Sequence, residues 1–207
     1  MTASTMVLKA LGTFFLYAVV AMFAQNAVFS RALGVSRLVK MVDDPTIDTF
    51  IFGAMLTAVQ LISTPLAWYA NLLMAPLGSW RPLVRPLIFV LCSGIGFFVV
   101  LFFIATVLKQ VDAKNAIAAL PMATFNCSVL GTMLIAATQN FTLLQTMGFA
   151  LGSSAGYVLA VMVATEAQRK LQSRAVPACF KGLPITLIYI GVLALAIYGF
   201  TGHMLAI

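Results

Sequence analysis

This sequence predicts an all-α membrane protein, with six transmembrane helices in two inverted three-helix repeats and interruptions in the first and fourth spans. Three observations carry that expectation. Of 207 residues, 62% are hydrophobic and only 8% charged, and the mean hydropathy is +1.07, a composition outside the range of soluble globular domains. The charges are gathered into narrow bands that leave apolar runs of membrane length between them. Finally, polar residues fall at comparable places in the first run and in the fourth span.

The uncharged runs lie at 10–30, 49–80, 86–108, 115–165 and 182–207, each reaching the roughly 20 residues a spanning helix needs. The fourth has room for two helices. Dividing it at Thr138-Gln139-Asn140 gives spans near 10–30, 49–72, 86–108, 115–137, 141–165 and 183–204. Residues 1–207 then form a single integral membrane domain, with repeat halves of roughly 1–110 and 111–207. Three is an odd number of crossings, so the halves run through the membrane in opposite senses, as in an inverted repeat. The first span is longer than a typical signal-peptide core, follows one basic residue and has no A-x-A site, so it is expected to be retained.

Orientation follows from Lys and Arg, which stay cytoplasmic. With the N-terminus outside, the first, third and fifth loops hold Arg31, Arg37, Lys40, Lys109, Lys114, Arg169, Lys170, Arg174 and Lys181, and the other side holds Lys9, Arg81 and Arg85. Nine against three places both termini outside. The net charge of +7 is thus a signal of topology and of contact with anionic headgroups in the lipid bilayer, not of nucleic-acid binding.

In the fourth span, Leu120-Pro121-Met122-Ala123-Thr124-Phe125-Asn126-Cys127-Ser128-Val129-Leu130-Gly131 sets a helix breaker, an amide, a thiol and a glycine at membrane depth. Pro121 lacks an N–H and frees the carbonyl of Ile117, which lets Asn126 bond the loosened backbone. In the first span, Asn26 followed by Leu33-Gly34 repeats the pattern. Such breaks are tolerated only inside protein or against a cavity. The plainer alternative, two amides that bond neighbouring helices, stays open. In the fifth span, Gly148, Gly152 and Gly156 recur at four-residue spacing and predict a close helix-packing seam.

Other residues read as ordinary. Three scattered cysteines without a CxxC pattern argue against a disulfide framework or zinc site; Cys92 reads as packing and Cys179 as a free loop thiol. Asp43, Asp44 and Asp48 read as a solvated loop, Glu166 as the ion-pair partner of Arg169 and Lys170, and His203 as an interface residue. Nucleotide-binding glycine loops and catalytic triads are absent from the sequence. No carboxylate falls within a predicted span, which argues against an autonomous ion carrier.

The block from Leu120-Pro121 through Asn126-Cys127 to Gly131, with Val176-Pro177-Ala178-Cys179-Phe180-Lys181-Gly182, resembles the RnfA/NqrE type. These are six-helix membrane subunits of the Rnf and Nqr redox-driven ion pumps. The likeness continues through Ile185, Leu187-Ile188, Gly191, Leu195-Ala196 and Gly199-Phe200-Thr201-Gly202. It covers the C-terminal half well and the N-terminal half loosely.

The resemblance implies a function and partners. Such proteins pair with a homologous RnfE or NqrD subunit of opposite orientation, among the other Rnf-type subunits. The pair holds a [2Fe-2S] cluster near the membrane centre, with two cysteines from each partner, one from the first span and one from the fourth. Cys127 matches the fourth-span ligand. The first-span ligand maps onto Ser36, in Asn26…Leu33-Gly34-Val35-Ser36. A second register aligns Gly34-Val35-Ser36-Arg37 with a downstream run and implies a deletion, but no cysteine precedes Cys92 in either case. Clusters are ordinarily held by four thiolates, so three readings arise: Ser36 as an alkoxide ligand, another subunit filling the gap, or a divergent paralogue without a cluster.

The implied function is a subunit, non-catalytic by itself, of a ferredoxin:NAD oxidoreductase-type ion translocase. The alternative is a cluster-free paralogue acting as a small-solute or ion transporter or as a structural membrane partner. On the redox reading, inverted symmetry places Cys127 close to Leu33–Ser36, facing a partner subunit.

Overall fold

A computed structural model describes residues 3–43, 48–107, 110–171 and 177–201. These residues form eight α-helices, α1 (Ala3–Met22), α2 (Val35–Asp43), α3 (Thr49–Leu73), α4 (Arg81–Val107), α5 (Gln110–Thr124), α6 (Cys127–Thr138), α7 (Leu143–Leu171) and α8 (Leu183–Thr201). Short 3₁₀ turns span Ala75–Trp80 and Ala178–Phe180. Four helical stretches are long and apolar enough to cross a membrane: Ser4–Met22, Thr49–Leu73, Ala75–Thr106 and Leu143–Leu171. A fifth crossing is reached when Asn115–Thr124 and Cys127–Thr138, bent by 46°, are taken as one broken span. Leu183–Gly199 is apolar but shorter.

Local chemistry explains the boundaries. Asp48 caps α3, its Oδ1 accepting from the backbone N–H of Phe50 at 2.8 Å and Ile51 at 3.4 Å, which satisfies donors a helix start leaves free. That gives one member of the expected acidic loop a structural task; Asp44 lies outside the described residues, as does His203. Gly78 and Gly182, with φ of 51° and 82°, turn the chain before α4 and α8. At the end of α7, Glu166 pairs with Arg169 at 3.5 Å and Lys170 at 3.9 Å on exposed side chains.

The structure sharpens the bounds of both expected interruptions. The first helix does not run through 10–30; it ends at Met22, and the chain stays irregular until α2 begins at Val35. The cause is the side chain of Asn26, which competes for backbone groups that would otherwise continue the helix. The second concerns Pro121, which lies inside α5 rather than at its end. There the helix closes with Phe125 N–H donating to the Pro121 carbonyl at 3.1 Å, and the break falls at Phe125–Asn126.

Helix α7 is the organising element, packed against α1, α2, α3, α6 and α8. Its small residues let α1 come into backbone contact: side-chain carbon added at Gly148, Gly152 or Gly156 would strike the carbonyl oxygens of Phe14, Ala18 and Met22 respectively. Each step of four on α7 matches a step of four on α1, so the two helices run parallel. Helix α6 runs the other way along α7. The Thr132 hydroxyl meets that of Ser153 at 2.8 Å, and the Phe141 ring just beyond α6 meets that of Phe149 at 5.5 Å.

Candidate functional site: two helix breaks meeting beside Tyr157

The segment between α1 and α2 is built around Asn26, which has no solvent exposure. Its Nδ2 donates to the carbonyls of Met22 and Gly156, both at 2.9 Å. Its Oδ1 accepts from the N–H of Val28 at 2.9 Å and Phe29 at 3.3 Å. The amide thus closes the end of α1, ties the segment to α7 and starts the next turn. Ser30 N–H donates to the Asn26 carbonyl, Ala32 N–H to that of Val28 and Leu33 N–H to that of Ala27, at 2.8–3.0 Å. The irregular backbone of this segment is therefore largely satisfied within the chain, as its burial requires.

The second break is shorter. Asn126 sits in extended conformation (φ −90°, ψ 134°) and caps α6, its Oδ1 accepting from Ser128 N–H at 3.0 Å. Asn126 and Ser128 are buried, whereas Phe125 and Cys127 on either side of Asn126 are exposed. The thiol is the first residue of α6 and Ser36 the second of α2, and both face outward from the chain.

The two breaks touch. Gly34 has φ of 77°, and a side-chain carbon there would come within 2.5 Å of Asn126 Oδ1 and 2.6 Å of the Tyr157 ring. Gly131 is likewise pressed against the Leu33 side chain. Tyr157, the central residue of α7 and wholly buried, donates its hydroxyl to the Gly34 carbonyl at 2.8 Å. The N-termini of α2 and α6 therefore converge about halfway along α7. Two positive helix ends favour negative charge at that point without placing a charged side chain in the core.

Sequence reasoning missed Tyr157 and a buried polar layer next to it. Between α3, α6 and α7, Gln60 Nε2 donates to the Thr132 hydroxyl at 3.4 Å. Thr132 also bonds Ser153 and the Ser128 carbonyl. Nothing in the local sequence joins Gln60, Thr132 and Ser153 to one another, so only packing reveals the layer. Cys92 is buried in α4 and Cys179 exposed, both free thiols remote in sequence from the breaks. Among the described residues, no three His, Cys, Asp or Glu side chains gather as a metal-binding group.

Known proteins resemble this chain along most of its length. Residues 14–204 match the family described as Rnf-Nqr subunit, membrane protein. The A-type subunit of the ion-translocating oxidoreductase complex of Syntrophotalea carbinolica is 41% identical over 83 residues, 40% of this chain and 43% of that one. Its counterpart in the ion-translocating oxidoreductase complex of Sodalis glossinidius is 32% identical over 153 residues, 72% of this chain and 77% of its own length. The A-type subunit of the Na(+)-translocating ferredoxin:NAD(+) oxidoreductase complex of Acetobacterium woodii is 24% identical over 193 residues, covering 89% of this chain and 95% of that protein. A match over nearly the whole chain, embracing both breaks, makes this protein a member of the Rnf-Nqr family of membrane subunits.

Proposed function

We propose that this chain carries electrons through the membrane within a ferredoxin:NAD oxidoreductase-type ion translocase, with Cys127 as its ligand to a [2Fe-2S] cluster shared with a homologous RnfE/NqrD-type subunit. One observation carries the reading: at the break, Cys127 is exposed while Asn126 and Ser128 on either side are buried. The thiol is offered to a neighbour rather than used in packing.

The donor set fits one side of a shared cluster at Cys127 and departs from it at the second ligand position. Four thiolates are the rule; this chain brings Cys127 and, at the position of the other ligand, the hydroxyl of Ser36, a harder donor. When bound, such a cluster supplies one-electron transfer. The chain's own residues present Cys127, hold the two breaks at a set separation and turn two helix N-termini toward the site, where they favour the charge of an added electron. The cysteine-free first span favours the second reading, a cluster-free paralogue serving as a transporter or structural partner.

The test is the EPR spectrum of the intact complex, purified anaerobically. A reduced [2Fe-2S] signal is expected, to vanish in Cys127→Ala and to strengthen in Ser36→Cys. Absence of the signal from the parent complex, with Cys127→Ala fully functional, would establish the cluster-free reading instead.

We further infer six crossings, with α5–α6 as a broken fourth span and α8 as the sixth, in two inverted halves with both termini outside a bacterial inner membrane. Parallel α1 and α7 support it, since first and fifth spans share a sense, and antiparallel α6 supports an even fourth. Single cysteines at Lys40→Cys and Lys170→Cys are then expected to react only from the cytoplasmic side. Labelling of either from outside would overturn this topology.

A further inference from the structure

We propose that Tyr157 is a positioning residue: its hydroxyl and ring together set the separation of the two breaks that carry Ser36 and Cys127. The functional consequence rests on the cluster reading above; the tether itself does not. Phenylalanine would fill the same volume, so the hydroxyl needs its own account. Burying a hydroxyl within the bilayer is costly unless it is bonded, and this one is spent on the Gly34 carbonyl at 2.8 Å. That carbonyl also accepts the Leu38 N–H at 3.0 Å, the first full turn of α2. The bond therefore pins the start of the helix on which Ser36 is the second residue.

The other side of the tether is the ring. Tyr157 Cε2 and Asn126 Oδ1 both close on the Gly34 α-carbon, leaving no room for a side chain. Asn126 is the cap of α6, the residue before Cys127. Tyr157 thus holds the chain two residues before one outward-facing donor, and the Gly34 it holds abuts the cap directly before the other. Its ring is held in turn by Phe52, with centroids 5.9 Å apart. Because α7 is one uninterrupted helix through this point, it gives both breaks a common rigid reference.

The experiment measures separation directly. Nitroxide labels at Cys127 and Ser36→Cys, in the full chain with Cys92→Ala and Cys179→Ser, are read by pulsed EPR in lipid bilayers. One narrow distance distribution is expected for the parent. Tyr157→Phe keeps the packing and removes the bond, so a broader distribution is expected, the closed-to-open ratio falling about tenfold on loss of a buried hydrogen bond. Gly34→Ala attacks the same contact from the opposite side and is expected to broaden it too. Distributions as narrow as the parent's in both variants would overturn the tether, whatever the cluster does. In parallel, the [2Fe-2S] signal of the intact complex is expected to broaden in Tyr157→Phe. Broadened distances with no cluster signal in the parent complex would leave the tether standing and remove only its consequence for ligation.

Discussion

Replacing Gly152 by leucine is expected to separate α1 from α7 and to lower stability strongly. A side-chain carbon at this position collides with the carbonyl oxygen of Ala18, and its next nearest neighbours are that residue's carbonyl carbon and α-carbon. All three are backbone atoms. A flexible neighbour could swing aside, but a helix backbone moves only as a body, so the whole parallel α1–α7 seam must open. Overpacking of this kind costs about 3 kcal/mol, the upper part of the usual range, and in lipid no hydrophobic term between helices compensates for lost packing. Thermal unfolding in detergent, followed by tryptophan fluorescence, checks it. Gly94→Ala is the control: nothing lies within 4 Å of a side-chain carbon there, and alanine favours the helix by about 1 kcal/mol. A Gly152→Leu protein melting with the parent would refute the seam.

Asn26→Leu is the second large effect. The substitution strips partners from two carbonyls and two backbone N–H groups at once, in a place where no water replaces them. Leaving even one buried group unpaired costs about 1–3 kcal/mol, so a loss of about 3 kcal/mol or more is expected. Asn126→Leu removes one cap bond, worth about 1 kcal/mol. The order of these two variants in the same unfolding assay decides the assignment: equal or reversed losses would show that Asn26 is not the hub of the first break.

The two asparagines mark how far the sequence was legible. Both breaks were visible as polar groups in apolar runs, because hydrocarbon makes an amide at that depth conspicuous. Their extents were not. Asn26 needs the carbonyl of Gly156, 130 residues away, to hold its segment open through Gly34, whereas Asn126 uses its own next turn and opens two residues. Pro121 shows the converse: the residue that most strongly signals a break lies within α5, which runs on to Thr124 before it closes. The glycine stripe announced a close neighbour without saying which helix it was.

By itself the sequence determined which stretches are apolar enough to form long helices, which spans contain polar interruptions, and that Cys127 stands at one of them without a cysteine counterpart before Cys92. These depend on hydropathy and local backbone chemistry, which act over one or a few turns. Only the tertiary structure decided that α1 and α7 run parallel in backbone contact, that the breaks meet, and that Tyr157 joins them. Those facts rest on pairs such as Tyr157 and Gly34, 123 residues apart. A hydroxyl in an apolar helix shows no partner until folding brings one to it.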